Sequence, residues 1–130
     1  MKVLLDTNAL IWIIADTDGK SLGTKAKQII ESADEVYSSS VNILEIRIKT
    51  MIGKLEADES LLEDISASGI KSLPFSSEHA DALIQFPSLL RHDPFDRMLA
   101  AQAQVEGMVL LTSDTVLLSL NNVKTLDSQK

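Results

Sequence analysis

Cysteine is absent from this 130-residue chain, and glycine, proline and aromatic residues are scarce, at 5 copies, 3 copies and 4%. Without cysteine there is no disulfide framework and no thiolate metal site. The absence fits a reducing compartment, so we expect a cytoplasmic protein. Long apolar runs are missing too, since Asp6 interrupts the first one and Ala9 to Ala15 is too short to span a bilayer. We therefore expect no membrane span and no targeting segment.

Positive charge is also in short supply. Lysine and arginine total 12 against 19 acidic residues, which gives a net charge of −7. Proteins that bind nucleic acid usually carry a basic stripe, which displaces counterions from the phosphates. An acidic chain can still act on a phosphodiester if bound metal cancels the local excess of negative charge. Otherwise it is a domain that binds proteins or small molecules. Net charge alone does not decide among these functions.

Length and patterning predict one α/β domain over residues 1–130. The content is 45% apolar and 24% charged, which is ordinary for a globular protein with one core. Predicted strands alternate with predicted helices, which implies right-handed crossovers and a mostly parallel central sheet between two helical layers. The strands are expected at Lys2–Asp6, Glu35–Ser38, Ile70–Leu73, Met108–Leu111 and Val123–Leu126.

Seven helices are expected between these strands. Their starts follow from capping residues and their ends from glycine or proline. Thr7 or Asn8 is expected to cap the first helix, and Asp16–Gly19 to form a loop. The helices are predicted at Ala9–Ala15, Ser21 or Thr24 to Ala33, Ser39 or Ser40 to Gly53, Ser60–Ser68, Glu78–Phe86, Pro94–Glu106 and Thr115–Leu120.

Hydrophobic spacing predicts which side chains are buried. The third helix carries apolar residues at helical spacing, which predicts one buried face made by Val41, Leu44, Ile48 and Ile52. Trp12 and Phe95 are also expected in the core.

Four acidic residues stand where elements begin or end. Asp6 and Asp114 each follow an apolar strand, Asp96 opens a helix, and Glu45 lies one turn into another. In open parallel sheets such residues meet at the carboxyl edge of the strands. Two carboxylates ~4 Å apart repel by about 4 kcal/mol at an effective dielectric near 20, so a cluster requires a cation or protons. The sequence predicts a site for Mg²⁺, with Mn²⁺ as the other candidate, where one or two ions activate water.

Each acid also has a purely structural interpretation. Asp6 and Asp114 can cap the helices that follow them, and Asp93 is placed to cap the helix that begins at Pro94. Asp96 then occupies the third helical position, where an acid favours the helix dipole and a capping box. Glu45 can be a solvated residue paired with Lys49 four positions on.

Neighbouring polar residues have two interpretations as well. Asn8 can orient Asp6 or a water, and Thr112 can bond Asp6 or the attacking water, although both residue types are common in caps and turns. His92 can shuttle protons or be a solvated loop residue. Three cations can contact phosphate or form surface salt bridges, namely Arg47, Lys54 and Arg97.

Four stretches, taken in order along the chain, carry a further signal: Leu4–Leu10, Ser40–Ile46, His92–Ala103 and Leu110–Asp114. Together they resemble the PIN-domain family, and within it the VapC-type toxins of toxin–antitoxin pairs. The resemblance implies a Mg²⁺-dependent endoribonuclease whose metal is held chiefly by Asp6 and Asp96. Glu45 and Asp114 would complete the site directly or through water, and Asp93 matches an extra acid of one subgroup. It also implies a homodimer, an RNA substrate and a cognate antitoxin that silences cleavage. Because the chain has few basic residues to hold RNA, a narrow structured target such as a tRNA loop is a candidate.

Other functions remain open from the residues alone. A receiver-like Mg²⁺-binding signalling module normally has paired acids after the first strand and a lysine after a late one, and this chain has neither. An aspartyl-nucleophile phosphatase requires a second aspartate where Asn8 stands. A PIN-like scaffold without activity is the third alternative, which the full acid set disfavours.

Overall fold

The structure is a computed structural model that describes residues 1–15 and 19–130. Three residues of the predicted Asp16–Gly19 loop therefore lie outside the described residues. The strands are β1 (Lys2–Leu5), β2 (Glu35–Ser39), β3 (Lys71–Leu73), β4 (Val109–Thr112) and β5 (Thr125–Asp127). The helices are α1 (Thr7–Ala15), α2 (Thr24–Ser32), α3 (Ser40–Met51), α4 (Leu61–Ala67), α5 (Ser77–Asp81), α6 (Pro94–Glu106) and α7 (Thr115–Leu118).

All five strands are parallel and form one sheet in the order β3-β2-β1-β4-β5. The chain builds outward from β1 to β2 and β3, then crosses to the other side of β1 to add β4 and β5. The strand order therefore reverses between β1 and β4, whose register pairs Leu5 with Leu111. In open α/β sheets this reversal is where a crevice forms beyond the strand ends.

Helices cover both faces of the sheet, which confirms the predicted α/β/α layers. Side chains of a strand alternate between faces, so Leu4 and Leu110 pack into one apolar cluster with α6. Val3, Leu5 and Leu111 pack into the other cluster with α1, α2 and α4. The cluster members on the central strands β1 and β4 are fully buried, as expected when a parallel sheet is covered on both faces. In the part of the chain that is described, no helix has the length and apolar character that a membrane crossing needs.

The predicted helix at Glu78–Phe86 is only partly α-helical. Helix α5 gives way to a 3₁₀ helix at Ala82–Gln85, and a second 3₁₀ helix covers Pro87–Leu89. Phe86, the residue before Pro87, leaves the helical region with φ −123° and ψ 58°, as the proline ring requires. The other predicted elements differ from the observed ones only at their ends.

The prediction of which face of α3 is buried is wrong. Leu44, Ile48 and Ile52 are 49%, 39% and 61% exposed, and of that set only Val41 is buried. The helix instead turns Asn42, Glu45 and Ile46 inward. Periodicity failed here because the inward polar side chains find partners inside the protein, so their burial is compensated.

The two predicted core aromatics differ in outcome. Phe95 is partly buried and packs against the apolar cluster of α6. Trp12 is also half-buried, but it lies at a shallow surface cleft beside Leu22 and Lys27. The expectation of a core position is therefore wrong for Trp12.

Candidate metal centre

A polar cavity of about 250 Å³ opens at the carboxyl edge of the sheet, beyond β1 and β4. Its walls carry the four predicted acids together with Asp93. The complete acidic set is Asp6, Glu45, Asp93, Asp96 and Asp114, and the other lining residues are Thr7, Asn8, Lys49 and Ser113. The structure thus brings together acids that the sequence separates by more than 100 positions.

Asp6 directly follows β1 and uses each carboxylate oxygen differently. Oδ1 accepts a 2.8 Å hydrogen bond from the Ala9 amide, so Asp6 caps α1. The predicted cap at Thr7 or Asn8 is therefore wrong, because the helix begins one position after Asp6. Oδ2 accepts a 2.7 Å hydrogen bond from the Thr112 hydroxyl. Burial raises the pKa of Asp6, opposed by these hydrogen bonds and reinforced by Glu45.

Glu45 is buried, with 5% of its surface exposed, so it is not the solvated residue that one interpretation expected. Its Oε1 accepts from the Thr7 hydroxyl at 2.6 Å, and its Oε2 accepts from Lys49 Nζ at 2.7 Å. Asn42 in turn donates to the Thr7 oxygen at 3.1 Å, which fixes that hydroxyl. From sequence, Thr7 was named only as a possible helix cap and Asn42 was not singled out, since their bonds cross between α1 and α3.

Asp93 and Asp96 stand three positions apart at the start of α6. Asp93 caps the helix, accepting from the Phe95 amide at 2.8 Å. Asp96 forms no capping box; its Oδ2 lies 3.1 Å from His92 Nε2. The pKa of Asp96 is raised to about 7, chiefly by burial and then by the charges of Asp93, Asp114 and Glu45, while His92 opposes the shift.

Asp114 follows β4 and also divides its two oxygens. Oδ1 accepts from the amides of Val116 and Leu117 at 2.9 and 3.0 Å, which caps α7. Oδ2 lies 3.3 Å from His92 Nε2. Capping and metal binding are therefore compatible, because one oxygen holds the helix and the other faces the acidic cluster.

The cationic residues at the site differ from those that the sequence suggested. Among the described residues lining the cavity, Lys49 is the only lysine or arginine. Its hydrogen bond to Glu45 is the main reason that its pKa is raised. Arg47 instead donates to the Asp58 carbonyl at 3.0 Å, and Arg97 to the Leu83 carbonyl at 3.5 Å. Lys54 is exposed and does not line the cavity.

This donor set suits a divalent metal ion. The oxygens are carboxylates, with the amide of the exposed Asn8 at the rim, and hard divalent cations prefer such ligands. Three donor atoms, one each from His92, Asp96 and Asp114, lie within 4.8 Å of one another. The pKa of Asp96 is raised first by burial and then by the charges of Asp93, Asp114 and Glu45, and a bound cation would favour its ionised form. The acidic cluster is therefore able to bind a divalent cation.

Comparisons with known proteins agree with this fold. The PIN domain family matches residues 3–122. A curated relative, Ribonuclease VapC22 of Mycobacterium tuberculosis, is 31% identical over 119 residues, which is 86% of each chain. Two solved structures share the fold over 98% of both chains: VapBC2 of Rickettsia felis bound to a promoter DNA fragment, with TM-score 0.70 and 15% identity, and DNA-bound VapBC of Salmonella typhimurium, with TM-score 0.69 and 20% identity.

A parallel sheet of this topology with an acidic cavity at the strand-order reversal is the arrangement expected of a PIN-type α/β domain. The chain belongs to the PIN-domain family, since the family match covers most of its length. Its relatives include a VapC ribonuclease, and solved VapBC structures share its fold. The resemblance noted from four short stretches is confirmed.

Proposed function

We propose that this protein is a Mg²⁺-dependent endoribonuclease and the toxin of a toxin–antitoxin pair. The observation that carries the proposal is the convergence of Asp6, Glu45, Asp96 and Asp114 on one cavity. Each acid comes from a different element, so local capping does not account for their meeting. The similarity to Ribonuclease VapC22 supports RNA as the substrate.

The chain's own residues prepare the cavity for phosphodiester hydrolysis. Thr112 holds Asp6 from β4, and Thr7 holds Glu45 from α1, so both carboxylates are oriented before substrate arrives. Asp96 and Asp114 are only partly buried and remain accessible from solvent. When bound by these acids, a divalent ion supplies charge stabilisation to the phosphate and makes a water more acidic. Mg²⁺ is the proposed ion and Mn²⁺ the other candidate.

Few positively charged side chains at the site are available to bind RNA. Lys49 reaches the cavity wall with 44% of its side chain exposed, so it is placed to contact a phosphate next to the acids. Arg47, Lys54 and Arg97 lie outside the cavity and remain predictions for contacts farther along the RNA. Cleavage in an open cavity requires that the RNA backbone be accessible, which favours single-stranded loops as targets.

We further propose that residues 1–130 act as one PIN-like domain with protein partners. The structural neighbours are toxin–antitoxin complexes, which supports a cognate antitoxin for this chain. An antitoxin would also explain how an acidic toxin is held silent in the cytoplasm, its proposed location. A homodimer is the proposed oligomeric state, by analogy with the family.

RNA cleavage by the purified protein tests the proposal. The protein is incubated with a single-stranded RNA and with total RNA, in Mg²⁺ and in EDTA. Cleavage in Mg²⁺ alone is expected, together with its loss in Asp6→Asn and Asp96→Asn. Asp81→Asn is the matched control, because Asp81 is an exposed aspartate outside the cavity. Metal-independent cleavage, or full activity in both site variants, would rule out the mechanism; metal binding with no cleavage would indicate an inactive PIN scaffold.

A further inference from the structure

His92 extends the acidic cluster with a nitrogen donor. It lies in the loop between the second 3₁₀ helix and α6, and its side chain is 23% exposed. Its Nε2 lies 3.1 Å from Asp96 Oδ2 and 3.3 Å from Asp114 Oδ2. One imidazole nitrogen thus faces two carboxylates that come from different elements.

These separations match those between neighbouring ligands of one metal ion. Donor atoms at roughly 2.1 to 2.2 Å from an octahedral ion and at right angles to each other lie about 3 Å apart. The two distances from His92 Nε2 are close to that value, and all three donor atoms lie within 4.8 Å of one another. Two of the three separations therefore already match those of neighbouring ligands around one ion.

Nitrogen changes which ion such a site prefers. Mg²⁺ is bound by oxygen ligands and retained water, whereas imidazole is a ligand for first-row transition ions. We propose that His92 is a metal ligand which, with Asp96 and Asp114, forms a mixed nitrogen and oxygen site that favours a transition ion such as Mn²⁺ over Mg²⁺. The inference rests on the proposed function, since it concerns the same acidic site.

The competing role for His92 is that of a counter-charge. A protonated imidazole between two carboxylates would neutralise them and would repel an incoming cation. The two roles predict opposite effects of removing the ring. Loss of a ligand weakens metal binding, whereas loss of a competing positive charge strengthens it.

The test is titration of Mn²⁺ and of Mg²⁺ into the metal-free protein at one mildly alkaline pH. The parent is compared with His92→Gln and with Arg91→Gln, which removes a neighbouring exposed charge and serves as the control. We expect His92→Gln to weaken Mn²⁺ binding by about tenfold or more, with a much smaller effect on Mg²⁺. Arg91→Gln should leave both affinities close to those of the parent, and circular dichroism checks that each variant is folded.

Pulsed EPR of Mn²⁺ bound to the parent gives a readout independent of any variant. A ¹⁴N coupling from a directly bound imidazole is expected, and it should be lost in His92→Gln. Absence of that coupling in the parent, or Mn²⁺ affinity that is unchanged or higher in His92→Gln, overturns the assignment while leaving the acidic metal site standing. If neither ion binds the parent, both the assignment of His92 as a ligand and the metal mechanism of the proposed function fail.

Discussion

Thr112 donates a 2.7 Å hydrogen bond to Asp6, although the two residues are 106 positions apart. Both are buried, with Asp6 5% exposed and Thr112 fully enclosed. The Thr112 hydroxyl oxygen also accepts from the amide of Asp114 at 3.1 Å. One hydroxyl thus links the acids that follow β1 and β4, at the point where the strand order reverses.

Removing that hydroxyl should impair cleavage. Thr112→Val keeps the side-chain shape but removes the donor to Asp6 Oδ2, so the carboxylate is held only by the Ala9 amide at Oδ1. We expect kcat/KM for RNA cleavage to fall by roughly 10- to 100-fold, as for other residues that orient metal ligands. Thr112→Ser keeps the donor and should retain most of the activity. Equal rates in the valine and serine variants would show that the bond does not matter for catalysis.

Asp96 should make the metal-free protein less stable as the pH rises. Its pKa is raised to about 7 from an ordinary value of 3.8, so the folded protein binds its proton more tightly than the unfolded chain. This contribution to stability is complete below about pH 4 and is lost as the pH passes through about 7. Asp96→Asn should therefore be more stable than the parent at alkaline pH, by on the order of 1 kcal/mol. Thermal unfolding in EDTA at several pH values measures this; identical pH dependence in parent and variant would contradict it.

Divalent metal should stabilise the folded parent. An ion that binds only the folded state adds about 2.7 kcal/mol at a concentration 100 times its Kd. The parent should therefore unfold at a higher temperature in Mg²⁺ or Mn²⁺ than in EDTA. Asp96→Asn should lose most of this increase, whereas Asp81→Asn, altered outside the cavity, should keep it. A rise of equal size in all three proteins would indicate a general salt effect.

Lys49 should contribute to RNA binding more than Lys54 does. Lys49 lines the cavity, whereas Lys54 lies beyond the end of the same helix, α3. The comparison uses an Asp96→Asn background, which avoids cleavage. There, Lys49→Gln should weaken RNA binding and lower the slope of log Kd against log salt concentration by about one. Lys54→Gln should change the slope less. If the two substitutions have the same effect, binding is not focused at the cavity.

Gln102 should stabilise the junction between α6 and α3. It is fully buried, its Oε1 accepts from the hydroxyl of Ser39, the residue that caps α3, and its Nε2 donates to the Pro74 carbonyl at 3.3 Å. Gln102→Ala leaves these groups without their partner and opens a cavity, at a cost of about 2–4 kcal/mol in unfolding free energy. Urea unfolding measures the loss. Gln104→Ala, on the same helix but half-buried, is the control and should be nearly neutral.

Much of this architecture was accessible from sequence because it depends on local signals. The positions of Asp6 and Asp114 follow from the ends of apolar strands, and the cap at Asp93 follows from the proline after it. The inward face of α3, by contrast, was predicted wrongly. Its orientation depends on the Thr7–Glu45 hydrogen bond, which joins residues 38 positions apart and leaves no periodic pattern.

Two further site features were also beyond the reach of local patterns. Lys49 was recognised as a helical partner of Glu45, but its place on the cavity wall depends on how α3 packs. His92 was open to two interpretations, since a loop position does not define where a ring points. Its approach to Asp114 requires the three-dimensional arrangement of α6 and β4.

The most direct test of the central claim is anomalous diffraction from crystals of the protein grown with Mn²⁺. The account predicts an anomalous peak inside the cavity at the carboxyl edge of the sheet, within coordination distance, roughly 2.2 Å, of a carboxylate oxygen of Asp96 and of at least one further acid, Asp6 or Asp114. A fully occupied peak elsewhere on the surface, with no density in this cavity at saturating Mn²⁺, would contradict it.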